Sequence, residues 1–104
     1  MKFNKLVRDK IPDMIINEGF IPETRILSDE EYILELDRKL DEEIEEYHQD
    51  KNLEELGDIL EVLYSIAEAR GYSIEDLVKL KEEKRNKRGG FSKKIYLISK
   101  QQHD

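Results

Sequence analysis

Acidic side chains crowd the middle of the chain on both sides of a short polar break, Asp50, Lys51 and Asn52. Before the break come Glu42, Glu43, Glu45 and Glu46; after it come Glu54, Glu55, Asp58 and Glu61. An acidic helix face is more often a solvated surface than a site, so position must decide. Successive helical residues advance by ~100° around the axis, which puts Glu43 roughly 50° and Glu46 roughly 110° from the centre of the apolar stripe on their helix. Glu42 and Glu45 fall roughly 150° away and are expected to face water. Glu43 and Glu46, three apart, share a face, as do Glu55 and Asp58. A hairpin turning at about residues 50–51 brings Glu46 level with Glu55 and Glu43 level with Asp58. Four carboxylates held so close repel one another unless they are protonated or surround a cation. Oxygen ligands point to magnesium, manganese or calcium, and the expected cation is Mg2+, with Mn2+ as the alternative, because Mg2+ suits carboxylate together with phosphate oxygens.

Helices must position these groups. Asp9 is expected to cap a short helix running to about Glu18, with Pro12 in its first turn and Gly19 as its stop. Residues 20–27 (FIPETRIL) read as extended, with a short strand over 22–27. Ser28 or Asp29 opens a second helix to about Gln49, where Tyr32, Ile33, Leu36, Leu40, Ile44 and Tyr47 recur at steps of three and four. Asn52 caps a third helix, from Leu53 to about Arg70. Its second half is apolar on more than one side, which predicts the most buried element. Ser73 and Asp76 form the acidic version of a capping box for a fourth helix, ended at Gly89–Gly90. Residues 91–100 (FSKKIYLISK) are β-branched and aromatic. They predict a strand over 94–99 pairing with 22–27, or a tail that docks on a partner. The expected fold is mainly α, an antiparallel helical hairpin in a four-helix arrangement, forming one domain over residues 1–104.

Composition narrows the chemistry further. The 104 residues are 38% apolar and 41% charged, so the core is modest and a covering interface is expected. A homodimer or a dimer of dimers would supply one, each hairpin covering another's apolar stripe. There is no cysteine, which excludes a disulfide framework, a thiolate metal site and a cysteine nucleophile. The two histidines, His48 and His103, are too few for an imidazole-rich site. No apolar run is long enough to span a bilayer and no signal pattern is visible, so a soluble, cytoplasmic chain is expected, with no membrane partner. The net charge of −7 argues against sequence-independent nucleic-acid binding. Charge is unevenly spread, however: most acids lie in residues 29–76, while 79–94 is strongly basic.

The run KLDEEIEEY followed by LEELGDILEVLYSIAEA resembles the E-E-x-x-E … E-x-x-D signature of the MazG-like all-α nucleoside triphosphate pyrophosphohydrolases. That superfamily includes phosphoribosyl-ATP pyrophosphohydrolases and all-α dUTPases. The flanks KLVRDKIPDMI and KEEKRNKRGGF resemble a compact subgroup of house-cleaning enzymes, and the likeness covers nearly the whole chain. It implies Glu43, Glu46, Glu55 and Asp58 as metal ligands and Glu42 as an orienting acid. It also implies hydrolysis between the α and β phosphates, with Glu46 as general base. Eight residues separate Glu46 from Glu55, fewer than in most of the superfamily. That shortens the helices around the site, putting the usual base pocket in doubt and leaving the metal cluster intact.

A nucleotide substrate needs donors beyond the metal. Lys5 and Arg8 near the start, and Lys84 and Arg88 on the fourth helix, are the candidate phosphate contacts. Lys10, Lys81 and Arg85 accompany them. The plainer alternative is that these residues balance the acidic helices as surface ion pairs. Tyr47, Tyr64, Phe91 and Tyr96 could stack on a base, although core packing is the commoner use. Two other functions compete with hydrolysis of a surplus or non-canonical nucleotide. One is hydrolysis of phosphoribosyl-ATP; the other is a non-catalytic helical module that binds a nucleotide or a partner.

Overall fold

A computed structural model describes residues 3–103, with α1 over Ile11–Asn17, α2 over Asp29–Asp50, α3 over Leu53–Ala69 and α4 over Ile74–Arg88. Side chains that compete with the backbone for hydrogen bonds start three of these helices. The Ser28 hydroxyl accepts from the Glu31 N–H, and the Glu31 carboxylate accepts from the Ser28 N–H, completing a capping box for α2. Ser73 and Asp76 repeat the device on α4. The Asn52 side chain accepts from the Glu55 N–H and begins α3. In contrast, α1 has Lys10 at its cap position without a side-chain hydrogen bond, so the cap expected from Asp9 does not form. Pro12 stands in its first turn, where a missing N–H is tolerated.

Between α2 and α3 the chain reverses in two residues. Lys51 adopts a left-handed conformation (φ 51°) and its N–H returns to the Tyr47 carbonyl. The two helices then run antiparallel and form the principal packing of the molecule, and α4 packs more lightly against α3. Leu36 of α2 and Val62 and Ala67 of α3 are the buried apolar residues. Two of these three lie in the second half of α3, where the sequence places the deepest burial. Glu43 is buried on the same side of α2 as Leu36, whereas Ile44, expected in the stripe, is 37% exposed. The buried face of α2 is therefore rotated towards Glu43, and one of its members is a carboxylate.

Neither expected strand forms; among the described residues there is no β-structure. Residues 22–27 and 95–99 have no regular structure, and Lys94 turns in a left-handed conformation (φ 60°) with its N–H donated to the Phe91 carbonyl. Ile26, Ile95 and Ile98 are all more than four-fifths exposed. No described helix is long and apolar enough to cross a membrane.

Candidate metal centre

Glu43 is set by its helix to look inward, and α3 brings Glu55 and Asp58 against it. One oxygen from each of the three lies within 4.8 Å of the others. Glu55 is the third residue of α3, held there by the Asn52 cap on its own N–H. Asp58 follows three residues later, and Val62, one turn further, is buried. The face Glu55–Asp58–Val62 is thus the one α3 turns towards α2, and the expected level pairing of Glu43 with Asp58 is realised. Glu46 falls outside the three-acid cluster, yet is close enough for its charge to act on both Glu43 and Glu55.

The electrostatics are those of an under-compensated anionic site. Burial pushes the Glu43 carboxyl above the ordinary carboxylate range; its ion pair with Lys39 opposes that push, and the charges of Glu46 and Asp58 add to it. Glu55 is raised as well, first by desolvation and then by Glu46, Asp58, Asp50 and Glu43. One oxygen on Glu43 and one on Glu55 are buried without any hydrogen-bond partner. An orphaned buried carboxylate oxygen is unfavourable, since it has lost water and gained nothing. Two such atoms in one cluster of oxygen-only donors fit a hard divalent ion such as Mg2+.

Cations of the chain itself surround the cluster. Arg8 donates to Asp58 at 2.7 Å, bridging fifty positions of sequence. Lys39 lies 3.2 Å from Glu43 and 3.4 Å from Glu42, with its side chain only 18% exposed. Lys5 reaches Glu42 at 3.5 Å. Glu42 therefore does not simply face water, as its helical angle suggests, because the amino-terminal segment lies across that side of α2. Lys39 is the residue sequence reasoning missed. Its spacing to Glu42 and Glu43, three and four residues, is the available signal.

Some of these groups line an open hollow of ≈ 380 Å3 whose walls include Arg8, Lys10, Tyr32, Lys39, Glu43, Asp58, Glu61 and Ser65, while Lys5, Glu42 and Glu55 are not in its walls. Lys84 and Arg88 are not brought to it. Together with Lys81, Arg85 and Phe91 they line a separate hollow where α4 meets Gly89 and Gly90. Tyr47 stands beside His48, their ring centres 5.8 Å apart.

Among known proteins, the chain is 55% identical over 42 residues to an uncharacterized protein of Mycolicibacterium smegmatis, a match covering 40% of this chain and 43% of that protein. The likeness thus spans less than half of either. No family model and no solved structure matches the chain.

Proposed function

We propose that this chain is a metal-dependent nucleotide pyrophosphohydrolase that cleaves a nucleoside triphosphate into the monophosphate and pyrophosphate. The observation that carries this reading is the convergence of Glu43, Glu55 and Asp58 with two buried carboxylate oxygens left unpartnered. In this reading those three acids hold Mg2+, or Mn2+ in its place. Such an ion, when bound, would neutralise phosphate oxygens and acidify the attacking water. Glu46, beside the cluster and half-buried, would accept a proton from the attacking water as general base. Lys39 holds Glu42 and Glu43 in place through its ion pairs, so that both remain positioned to bind and orient. Arg8, in the wall of the hollow, and Lys5, paired with Glu42, supply donors for the phosphates. Phosphoribosyl-ATP belongs on the substrate panel because its cleavage uses the same acidic motif.

The test is pyrophosphate release from a panel of canonical and modified nucleoside triphosphates and phosphoribosyl-ATP, with Mg2+ and with chelator. Hydrolysis should require the metal and fall by about a hundredfold or more in Glu43→Gln and Asp58→Asn, with both variants still helical and cooperatively folded. Nucleotide binding that chelator leaves intact, with no turnover on any substrate, would instead identify a binding module.

A further inference from the structure

An apolar stripe runs along the side of α3 turned away from the acidic cluster. Leu53, Leu56, Leu60 and Leu63 recur at steps of three, four and three, and are 83%, 49%, 46% and 39% exposed. Gly57 sits on the same face, and a methyl group there would meet nothing within 4 Å. A mid-helix glycine is unfavourable by roughly 1 kcal/mol relative to alanine, and it becomes intelligible where another backbone approaches closely. Beside the stripe, Glu54, Glu61 and Glu68 form an exposed acidic row at seven-residue spacing.

The carboxyl-terminal segment is its complement. Ile95, Tyr96, Leu97 and Ile98 form a continuous apolar run at 77–89% exposure, with Phe91 at 98%. Lys93 and Lys94 precede the run and Lys100 follows it. Charge divides the same way over the whole chain: residues 29–76 hold eighteen acids and four bases, residues 79–100 nine bases and two acids. The lengths agree as well. Four extended residues span about 13 Å, and the stripe from Leu53 to Leu63 spans about 15 Å. The chain exposes 10090 Å2, whereas a compact monomer of this mass exposes roughly 6,100 Å2. The difference is at least one partner's share of an obligate interface.

We infer that residues 91–98 form an exchanged arm: the arm of one copy seats on the Leu53–Leu56–Leu60–Leu63 face of a second copy's α3, reciprocally, making a two-fold dimer. The arm backbone passes over Gly57, and its lysines meet the acidic row. A reciprocal arrangement closes on itself and leaves neither arm uncovered. The cluster of Glu43, Glu55 and Asp58 lies on the other face of α3 and stays uncovered, although Glu61 borders both the arm and the hollow.

Analytical ultracentrifugation of the full chain should give twice the 12.4 kDa chain mass. Two variants should each weaken the dimer by about a hundredfold or more while the monomer stays folded. They are Ile95→Lys with Leu97→Lys, which alters only exposed residues, and Gly57→Gln, which raises helix propensity but fills the approach. Because the chain lacks cysteine, Ser99→Cys accepts a spin label uniquely. Mixed with unlabelled 15N chain, it should broaden the amides of Leu53, Leu56 and Leu60 in the other copy. A monomer at every concentration overturns the inference. So does a dimer indifferent to both variants, broadening confined to other helices, or capture of the monomer by phosphatidylserine vesicles in place of self-association.

Discussion

Lys39 is the resident counter-charge of an acidic cluster that is otherwise short of partners. Its ammonium meets Glu42 and Glu43 from one and the same helix, one turn before them. Desolvation nonetheless leaves Glu43 and Glu55 with raised proton affinity in the folded chain. A carboxyl that binds its proton more tightly folded than unfolded stabilises the fold as pH falls through its raised range, and that contribution is lost as pH rises above it. Glu31 works in the opposite sense. Its hydrogen bonds from Arg25, and then those from Ser28, hold it down at about 2. Its contribution is therefore present above the ordinary carboxylate range and lost only as pH falls from 4.5 towards about 2. Between pH 7 and 5, without divalent ions, urea denaturation should show stability increasing more steeply in the native chain than in Glu43→Gln/Glu55→Gln. Lys39→Met should steepen the rise further, because Glu43 then loses its one opposing cation. Identical slopes in all three proteins would remove desolvation as the cause.

Caps and breaks, which are local, were the readable part of the helices. Ser28 with Glu31, Asn52, Ser73 with Asp76 and Gly89 each stand where a helix begins or ends. What could not be read was anything set by a distant segment. The helical angle of Glu42 predicts water, and only the amino-terminal segment crossing α2 explains its pair with Lys5. The rotation of the α2 buried face towards Glu43 depends on what α3 presents to it. Residues 22–27 and 94–99 have strand composition, yet strands exist only as pairs, and within one chain neither meets a partner. The cap at Asn52 links element to site, since it fixes the helical turn from which Glu55 projects. Asn52→Ala should destabilise the chain by about 1 kcal/mol. It should also weaken Mg2+ binding measured by calorimetry, whereas Ser28→Ala, at the far end of α2, should lower stability by a similar amount and leave Mg2+ affinity unchanged.

As a whole the molecule is long and thin, with extents of 70 × 31 × 20 Å. Its radius of gyration is 18.9 Å, where a compact chain of this length would have roughly 13 Å. In so slender a body few contacts tie the beginning of the chain to its middle, and the ion pair of Arg8 with Asp58 is one of them. Arg8 takes one oxygen of Asp58, and a dication drawing on the same carboxylate would compete for its charge. An ion at Asp58 would loosen the leading segment, leaving Lys5 with Glu42 as its remaining ion pair among the described residues, and occupancy of the hollow would become legible from outside as a change in susceptibility to cleavage. Trypsin should cut after Arg8 and Lys10 several-fold faster in Mg2+ than in chelator, with the peptides counted by mass spectrometry. In Asp58→Asn the rate should be high from the outset and insensitive to the ion. The tether beside the hollow would then double as its latch, loosening a positively charged strap at the moment a polyphosphate has use for one.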